Sequence, residues 1–548
     1  MRGPLLPRRH FLGAAAGLCG LACAPDPDPE PAIVELVGPD PARGHRLRDP
    51  ALREGPLAAT EDIGVVIIGA GAAGLAAAWR LARAGFDDYV ILELEDALGG
   101  TARSGALPRS EHPMGAHYLP APHPECRALE ALLEDLGLLL GRDAAGRAEY
   151  LPSAQVAAPE ERHFLGHRWF EGLYPGHGED PAEAADHARW QDHLHDLDRR
   201  RGADGRRLFR LPVARSSADL RGLDRLTMAD HLDRLGLRSW RLRWAIDYGC
   251  RDDFGCTIGQ VSAFAGLHYH LARGLDDHRP ILTWPGGNGR LLRSIAERVA
   301  PGERLRLATA AVAIDPDAGE VTTLRLADGE RRRLRARAIL WAAPRFILPR
   351  LLPPGRDPLP PGALTYAPWL VASVEVTRPP RGLGAPLAWD NVPIEGPSLG
   401  YVVATHTDPL TDARPDAVLT YYEPLPADDR AALDARRREL LAADAPALAA
   451  RVRAGLEAMH PGIAPTIRRM AITRWGHAMI RPIPGLLFGD DLARARAPIG
   501  RLRPCATDTA GLPLFEEAFY AALTAAEAAL ADLGRQGPSL LDDAPLPT

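Results

Sequence analysis

The 548-residue chain contains no lysine, so its basic side chains are arginines and no ammonium group is available to hold a water molecule or a charge in any site. Cysteine is scarce: of the six, only Cys126, Cys250, Cys256 and Cys505 lie beyond the first 24 residues, and their spacing matches no metal centre. Buried, inert thiols are expected, with Cys250 and Cys256 the nearest pair for a disulfide. The scattered histidines His163, His167, His177, His187, His193 and His195 also match no ligand motif, so no metal is expected. A net charge of −6 gives no footing for nucleic acid. No apolar run is long enough for a permanent membrane span. The rest is ordinary for a folded protein, with 46% hydrophobic and 25% charged residues. The length calls for two or three interleaved domains rather than one core.

The stretch that organises the chain runs from Gly64 to Arg103. Gly64 to Ile68 is a short β-branched run of the kind that makes a strand buried on both faces. Gly69, Gly71 and Gly74 follow in GxGxxG spacing: the first allows a sharp turn, the second a close approach of backbone to a pyrophosphate, the third tight packing of helix on strand. A helix from about Ala73 to Ala84 would aim the free N–H groups of Ala72, Ala73 and their neighbours at the phosphates. A second strand, Tyr89 to Leu92, ends at Glu93, where a ribose diol needs an acceptor, roughly 20 residues on. The motif occurs once, which argues against a built-in nicotinamide domain.

Residues 1–24 resemble a twin-arginine export signal: Arg8 and Arg9 precede Phe11 and Leu12, and a weakly apolar run reaches Ala24. The expected address is the periplasm or the outer side of the cytoplasmic membrane, with the twin-arginine export machinery as a partner. Two outcomes stay open: cleavage at Ala22-Cys23-Ala24, or a lipid on Cys23 of an imperfect lipoprotein box, the only membrane contact expected. Residues 25–61, rich in proline and charge, read as a linker.

After Glu93 come Gly99-Gly100-Thr101-Ala102-Arg103 and then Pro113-Met114-Gly115-Ala116-His117. Near the other end, Gly500 to Asp508 reads as a strand closing on an aspartate, followed through Leu514 by an amphipathic helix, Phe515 to Leu533, with Ala518, Ala522, Ala525, Ala526 and Leu530 on its packing face. Together these resemble the flavin-containing amine oxidase and phytoene desaturase group of FAD proteins. The resemblance implies that the Gly-Gly loop covers the pyrophosphate, that Gly115, Ala116 and His117 pass along the flavin ring, and that Asp508 binds the ribityl and pyrophosphate portion. It also implies that Leu514 and Phe515 open a helix aimed at the flavin O2, and that Val312 meets the adenine through its backbone. The group usually has arginine directly after Gly-Gly; here Thr101 stands there and Arg103 follows.

The resulting fold expectation is α/β: a Rossmann-like FAD-binding domain of discontinuous segments with an interwoven α+β substrate domain. The cofactor parts are residues 62–124, 280–350 and 486–535; a mainly helical substrate-side segment covers 125–279, a substrate domain of strands plus helix 351–485, and a tail 536–548. Helix is expected over 427–460, and strands over Trp369 to Val376 and Gly400 to Ala404. Two clusters are candidates for chemistry. In Arg474-Trp475-Gly476-His477 the resemblance places an aromatic near the flavin face, so that Trp475 and Phe515 enclose the ring, with His117 and His477 nearby. In Tyr248 to Gly255, Asp252 and Asp253 either cap the helix that follows and pair with Arg251, or seat a cationic substrate. The expected activity is an amine-oxidase-like removal of hydride from a substrate carbon to FAD, with dioxygen, a quinone or another acceptor restoring the flavin. Many members hold a water near the flavin with a lysine, a role this chain must give to His117, His477 or an arginine. A carbon–carbon desaturase or isomerase acting on a lipid-like substrate would need a long apolar tunnel, and a flavin-binding electron carrier an exposed flavin edge.

Overall fold

The structure is a computed structural model, and it describes residues 32–156, 158–275, 279–407, 415–535 and 537–541. The export signal and Cys23 lie outside these residues, as do 276–278, 408–414 and most of the tail.

The first described residues correct an expectation. Residues 32–58 are not simply a linker: strand β1 (Ile33–Val37) pairs in parallel with Arg469 to Thr473 of a long strand far along the chain. A short helix, Pro41–Arg46, follows behind its N-cap Asp40. The strand sits at a sheet edge and leaves Ile33 45% and Leu36 39% exposed, so it buries too little apolar surface to show a periodic signal.

Strand β2 (Ala59–Ile68), helix α1 (Ala72–Arg83) and strand β3 (Tyr89–Leu92) form the expected βαβ unit. Val65, Val66 and Ile67 are fully buried because sheet partners flank them and helices cover their faces. β2 begins five residues earlier than its apolar run. That polar half pairs with Arg332 to Ala336, and Glu61 bridges Arg306 and Arg332 at 2.7 and 2.9 Å. β2 lies between β3 and strand β5 (Arg331–Trp341), all parallel. The far edge of β5 is shared by the antiparallel strand Glu320–Arg325 and by strand β8 (Leu502–Pro504). Strand β4 (Thr309–Asp315) extends this seven-stranded sheet through Glu320–Arg325. Segments from three distant parts of the chain therefore share one layer. Over it, helix α5 (Phe515–Asp532) packs on α1: Ala518, Ala522, Ala525 and Ala526 are buried, and Phe519 meets Trp79 at 5.6 Å.

The second sheet has eight strands, ordered β1, strand β7 (Ile467–Ile480), strand β6 (Tyr366–Val376), then Ala417–Pro424, Tyr401–Val403, Asp390–Pro393, Glu161–Leu165 and Arg168–Glu171. Helix α4 (Arg430–Ala442) and the helix Ala445–Met459 cover one face with Leu440, Leu448, Val452 and Leu456. The other face carries Trp369, Val371, Tyr422 and Trp475 toward the first sheet. Segment 125–279 contains helix α2 (Trp240–Phe254) and helix α3 (Ala263–Leu271), but it also donates two strands to this sheet. Those strands escape sequence reading because polar Arg162 and His163, each 1% exposed, stand where an apolar alternation would be. The four described cysteines are buried and free. Among the described residues no cluster could hold a metal, and no helix is long and apolar enough to cross a membrane.

Candidate active site

The turn after β2 is built by glycine. Gly69 has φ +110°, and a Cβ there would lie 2.7 Å from the Ala342 carbonyl; one on Gly74 would lie 1.8 Å from the Gly69 carbonyl. α1 therefore starts hard against β2, and no side chain caps its N-terminal N–H groups at Gly71. Gly100 passes alongside, its Cα 3.8 Å from where a Gly71 Cβ would sit. Glu93 ends β3 and pins this loop: one carboxylate oxygen accepts the Ala70 N–H at 2.8 Å and the other the Glu95 N–H at 2.9 Å. Burial raises its pKa above the usual carboxylate range.

One cavity runs from this loop to the second sheet. Its walls include Gly71, Ala72, Ala73, Gly99, Gly100, Thr101, Gly115, Ala116, His117, Trp475, His477, Asp508, Leu514 and Phe515, all singled out from sequence. Asp508 reaches it from the opposite end of the chain. Its Oδ2 accepts the Arg345 N–H at 2.6 Å and the Tyr366 hydroxyl at 2.7 Å, while its Oδ1 is buried without a hydrogen-bond partner. Leu514 opens α5 with no side-chain cap either, so a second set of helix N–H groups faces the same space. An extended ligand with phosphates at one helix N-terminus, a donor for the Asp508 oxygen and an electron-rich ring at the other helix fits these walls. FAD is such a ligand.

Other expected residues stand elsewhere. Gly69 and Gly74 serve the packing of strand and helix, and Glu93 the loop behind the cavity. Arg103 does not line the cavity: it pairs with Asp96 at 2.9 Å and Glu95 at 3.8 Å. With Thr101 next to the glycines, the turn Gly100–Ala102 carries Arg103 to the acidic side. Val312 is 2% exposed in β4, at a register shift that leaves it opposite no residue of the neighbouring strand, and it is outside this cavity.

The half of the cavity beyond Gly115 is aromatic. Trp475 is fixed by its Nε1–H donating to the Met114 carbonyl at 2.6 Å and stands opposite Trp369 across β6 and β7. His117 lies 5.2 Å from Tyr422, 5.1 Å from Tyr118 and 5.8 Å from Trp389 between ring centroids. Burial pushes its imidazole down to about 4, and that of His477, stacked on Phe346, down to about 3, so both are neutral at ordinary pH. Phe515 opens α5 on the wall.

Sequence reading missed Tyr118, Trp369, Tyr366, Tyr422, Arg273, Asn288 and Glu516, all on the cavity wall. The alternation of Trp369 and Val371 in β6 was a usable signal; the others come from separate elements with no local mark. Asp252 and Asp253 neither cap a following helix nor hold Arg251, because they occupy the last turn of α2 and Arg251 pairs with Asp247 at 2.9 Å. Both line the cavity. Arg273, the one arginine in the wall among the described residues, ion-pairs with Glu516 at 2.8 Å and with Asp253 at 3.9 Å.

The sequence model of the family described as "Flavin containing amine oxidoreductase" matches residues 72–530. Among solved structures, wild-type putrescine oxidase bound to putrescine is similar with a TM-score of 0.62 at 17% identity, covering 86% of this chain and 100% of that one. Cyclohexylamine oxidase from Brevibacterium oxydans IH-35A gives 0.59 at 19% identity, over 86% and 100%. A CLA-producing fatty acid isomerase from P. acnes gives 0.58 at 16% identity, over 84% and 97%. No curated protein matches. These structural likenesses establish the shared α/β fold with its Rossmann-like cofactor layer. With the family match spanning most of its length, the chain belongs to the flavin-containing amine oxidoreductases and is an FAD-dependent oxidoreductase.

Proposed function

We propose that the protein oxidises a small amine, removing hydride from the carbon that bears the nitrogen. The observation that carries this reading is the cavity's far half, walled by Trp369, Tyr422, Trp475, His117 and Tyr118 and joined to the cofactor half at Gly115 and Ala116. A lipid substrate would call for an apolar lining, whereas this wall carries Asp252, Asp253 and Glu516.

The cofactor residues divide by task. The N–H groups opening α1, with Gly71, Gly99, Gly100 and Thr101, would hold the pyrophosphate; Glu93 orders the loop that would lie beside the ribose; the free Asp508 oxygen would accept from the ribityl chain; and the start of α5 at Leu514 and Phe515 would favour negative charge on the ring by about 0.3–1 kcal/mol through its dipole. Val312, at the register shift of β4, would meet the adenine through its backbone. Arg103 acts at a distance by fixing the acidic loop. When bound, the isoalloxazine supplies a two-electron acceptor. The protein's own work is alignment and exclusion of water. Trp475, locked by Met114, and Phe515 enclose the reacting carbon. His117 and His477 are neutral and add no positive charge, so an amine enters without repulsion. Dioxygen or a quinone takes the electrons afterwards.

The test is anaerobic mixing of the purified yellow protein with amines and, separately, with polyenes and unsaturated fatty acids. Bleaching of the visible flavin band by amines alone is expected; bleaching by the unsaturated lipids alone would replace this reading with desaturation or isomerisation.

A further inference from the structure

Residues 39–54 form a strap across the outside of the cofactor layer. It lies between Gly38, with φ +97°, and Gly55, with φ +131°, two backbone conformations that side chains disfavour. Between these turns the helix Pro41–Arg46 and the single turn Pro50–Arg53 contain no buried residue, so the strap can lift without opening a core. Its contacts nevertheless converge on the end of β3. Arg43 donates from Nη1 to Glu95 and from Nη2 to Asp96, at 3.1 Å each, and the Asp40 N–H reaches the same Glu95 oxygen at 3.4 Å. Glu95 in turn gives its N–H to the Glu93 carboxylate at 2.9 Å. Asp96 also accepts at 2.9 Å from Arg103, which directly follows the turn Gly100–Ala102. Further along, Leu47 and Leu52 pack with Leu94 against the cluster of Ala310, Val312 and Leu324. The strap thus backs, from outside, the three pieces that would surround adenosine and pyrophosphate: the loop after β3, the Gly-Gly turn, and β4 at Val312.

We propose that residues 39–54 are a latch on the adenosine half of the FAD site, hinged at Gly38 and Gly55 and fastened by Arg43. Closed, it holds the dinucleotide's walls together; lifted, it lets the dinucleotide leave. The latch rests on the placement of FAD given above and is independent of the amine substrate. Arg43 is a positioning residue that acts through Glu95 and Asp96. Its side chain is 28% exposed, so the clasp adds little to global stability and can govern release without governing the fold. Its fork spans two carboxylates at once, which a single ammonium would not do.

The experiment follows FAD release from the full-length holoprotein as the rise of flavin fluorescence on dilution, well below the melting temperature. Arg43→Ala, and Leu47→Ala with Leu52→Ala, are expected to release FAD about tenfold faster, with Arg43→Lys between them and wild type. The visible flavin spectrum and the melt of the apoprotein should stay as in wild type. ADP, which has the adenosine and both phosphates but no ring, locates the effect: as a competitor of FAD uptake by apoprotein it should weaken in the same variants by the factor that FAD affinity loses. In wild type, amide hydrogen exchange over residues 39–54 should slow when FAD binds, since a latch that retains the ligand is in turn held by it. That measurement needs no variant, so a variant that misfolds leaves the test intact. Unchanged FAD release, ADP competition that is absent or unaltered, or equal exchange of the strap with and without FAD overturns the latch. Wild-type apoprotein that takes up no FAD would remove the latch together with the cofactor placement.

Discussion

Two glycines of one motif do different jobs, and their substitutions should separate. Gly74→Ala drives a methyl into the Gly69 carbonyl at 1.8 Å and pushes α1 off β2. Colourless, poorly folded protein is expected, read as the loss of both flavin absorbance and a cooperative melt. Gly71→Ala has space, its Cβ meeting Gly100 only at 3.8 Å. As apoprotein it should fold and melt like wild type but bind FAD about tenfold or more weakly, because the backbone can no longer approach the phosphates. Glu517 gives a pH signature. It is 1% exposed beside Glu516, and burial pushes it up to about 8, although the Val213 N–H at 2.6 Å favours the charged form. Its folded pKa exceeds the unfolded value, so the stability it contributes is complete below the ordinary carboxyl range and is lost as pH rises through about 8. Glu517→Gln should flatten the fall in denaturant midpoint between about pH 5 and 8 relative to wild type. At this scale the nucleotide glycines were legible because each is demanded by a fixed local geometry. Asp252 and Asp253 were not: adjacent acids read equally as caps, and only their place in the last turn of α2 shows that they cap nothing.

Among elements, the long apolar ones announced themselves. β3, α1 and α5 follow their expected bounds within about a residue, since each buries a continuous face. β1 did not, being a short edge strand whose side chains stay largely in solvent. It nevertheless covers the open edge of β7. Deleting residues 32–38 should lower the thermal midpoint by a few degrees and promote self-association through the uncovered backbone, checked by calorimetry and light scattering at matched concentration. Strand β7 itself was seen only as a cluster around Trp475. Arg468 is exposed and Arg469 half-buried, while Arg474 donates to the Leu441 carbonyl of the helix Arg430–Ala442 at 2.7 Å, and that mixture hides a strand.

Across the whole molecule, the cofactor layer was readable because its motifs are local even though its segments are scattered. The substrate wall was not, because it is assembled from single residues on α2, the turn after α3, β6, β7, the strand Ala417–Pro424 and the segment after Gly115, which meet only in three dimensions. The same assembly makes FAD a cross-brace between segments hundreds of residues apart. Holoprotein should therefore melt well above apoprotein, with a gain of about 2.7 kcal/mol when free FAD is a hundredfold above its dissociation constant. Scanning calorimetry against FAD concentration checks it, and Asp508→Ala should reduce the gain.

Because the wall that receives the flavin is finished by Asp508, Leu514 and Phe515, a ribosome must translate as far as α5 before the dinucleotide has a complete site to dock into. The half-made chain displays the glycine turn and the first grip on the phosphates, yet the berth closes only once α5 has left the exit tunnel and settled on α1. Flavin loading is thus a late step in the folding of the chain, and anything that keeps α5 from settling on α1 competes with it directly.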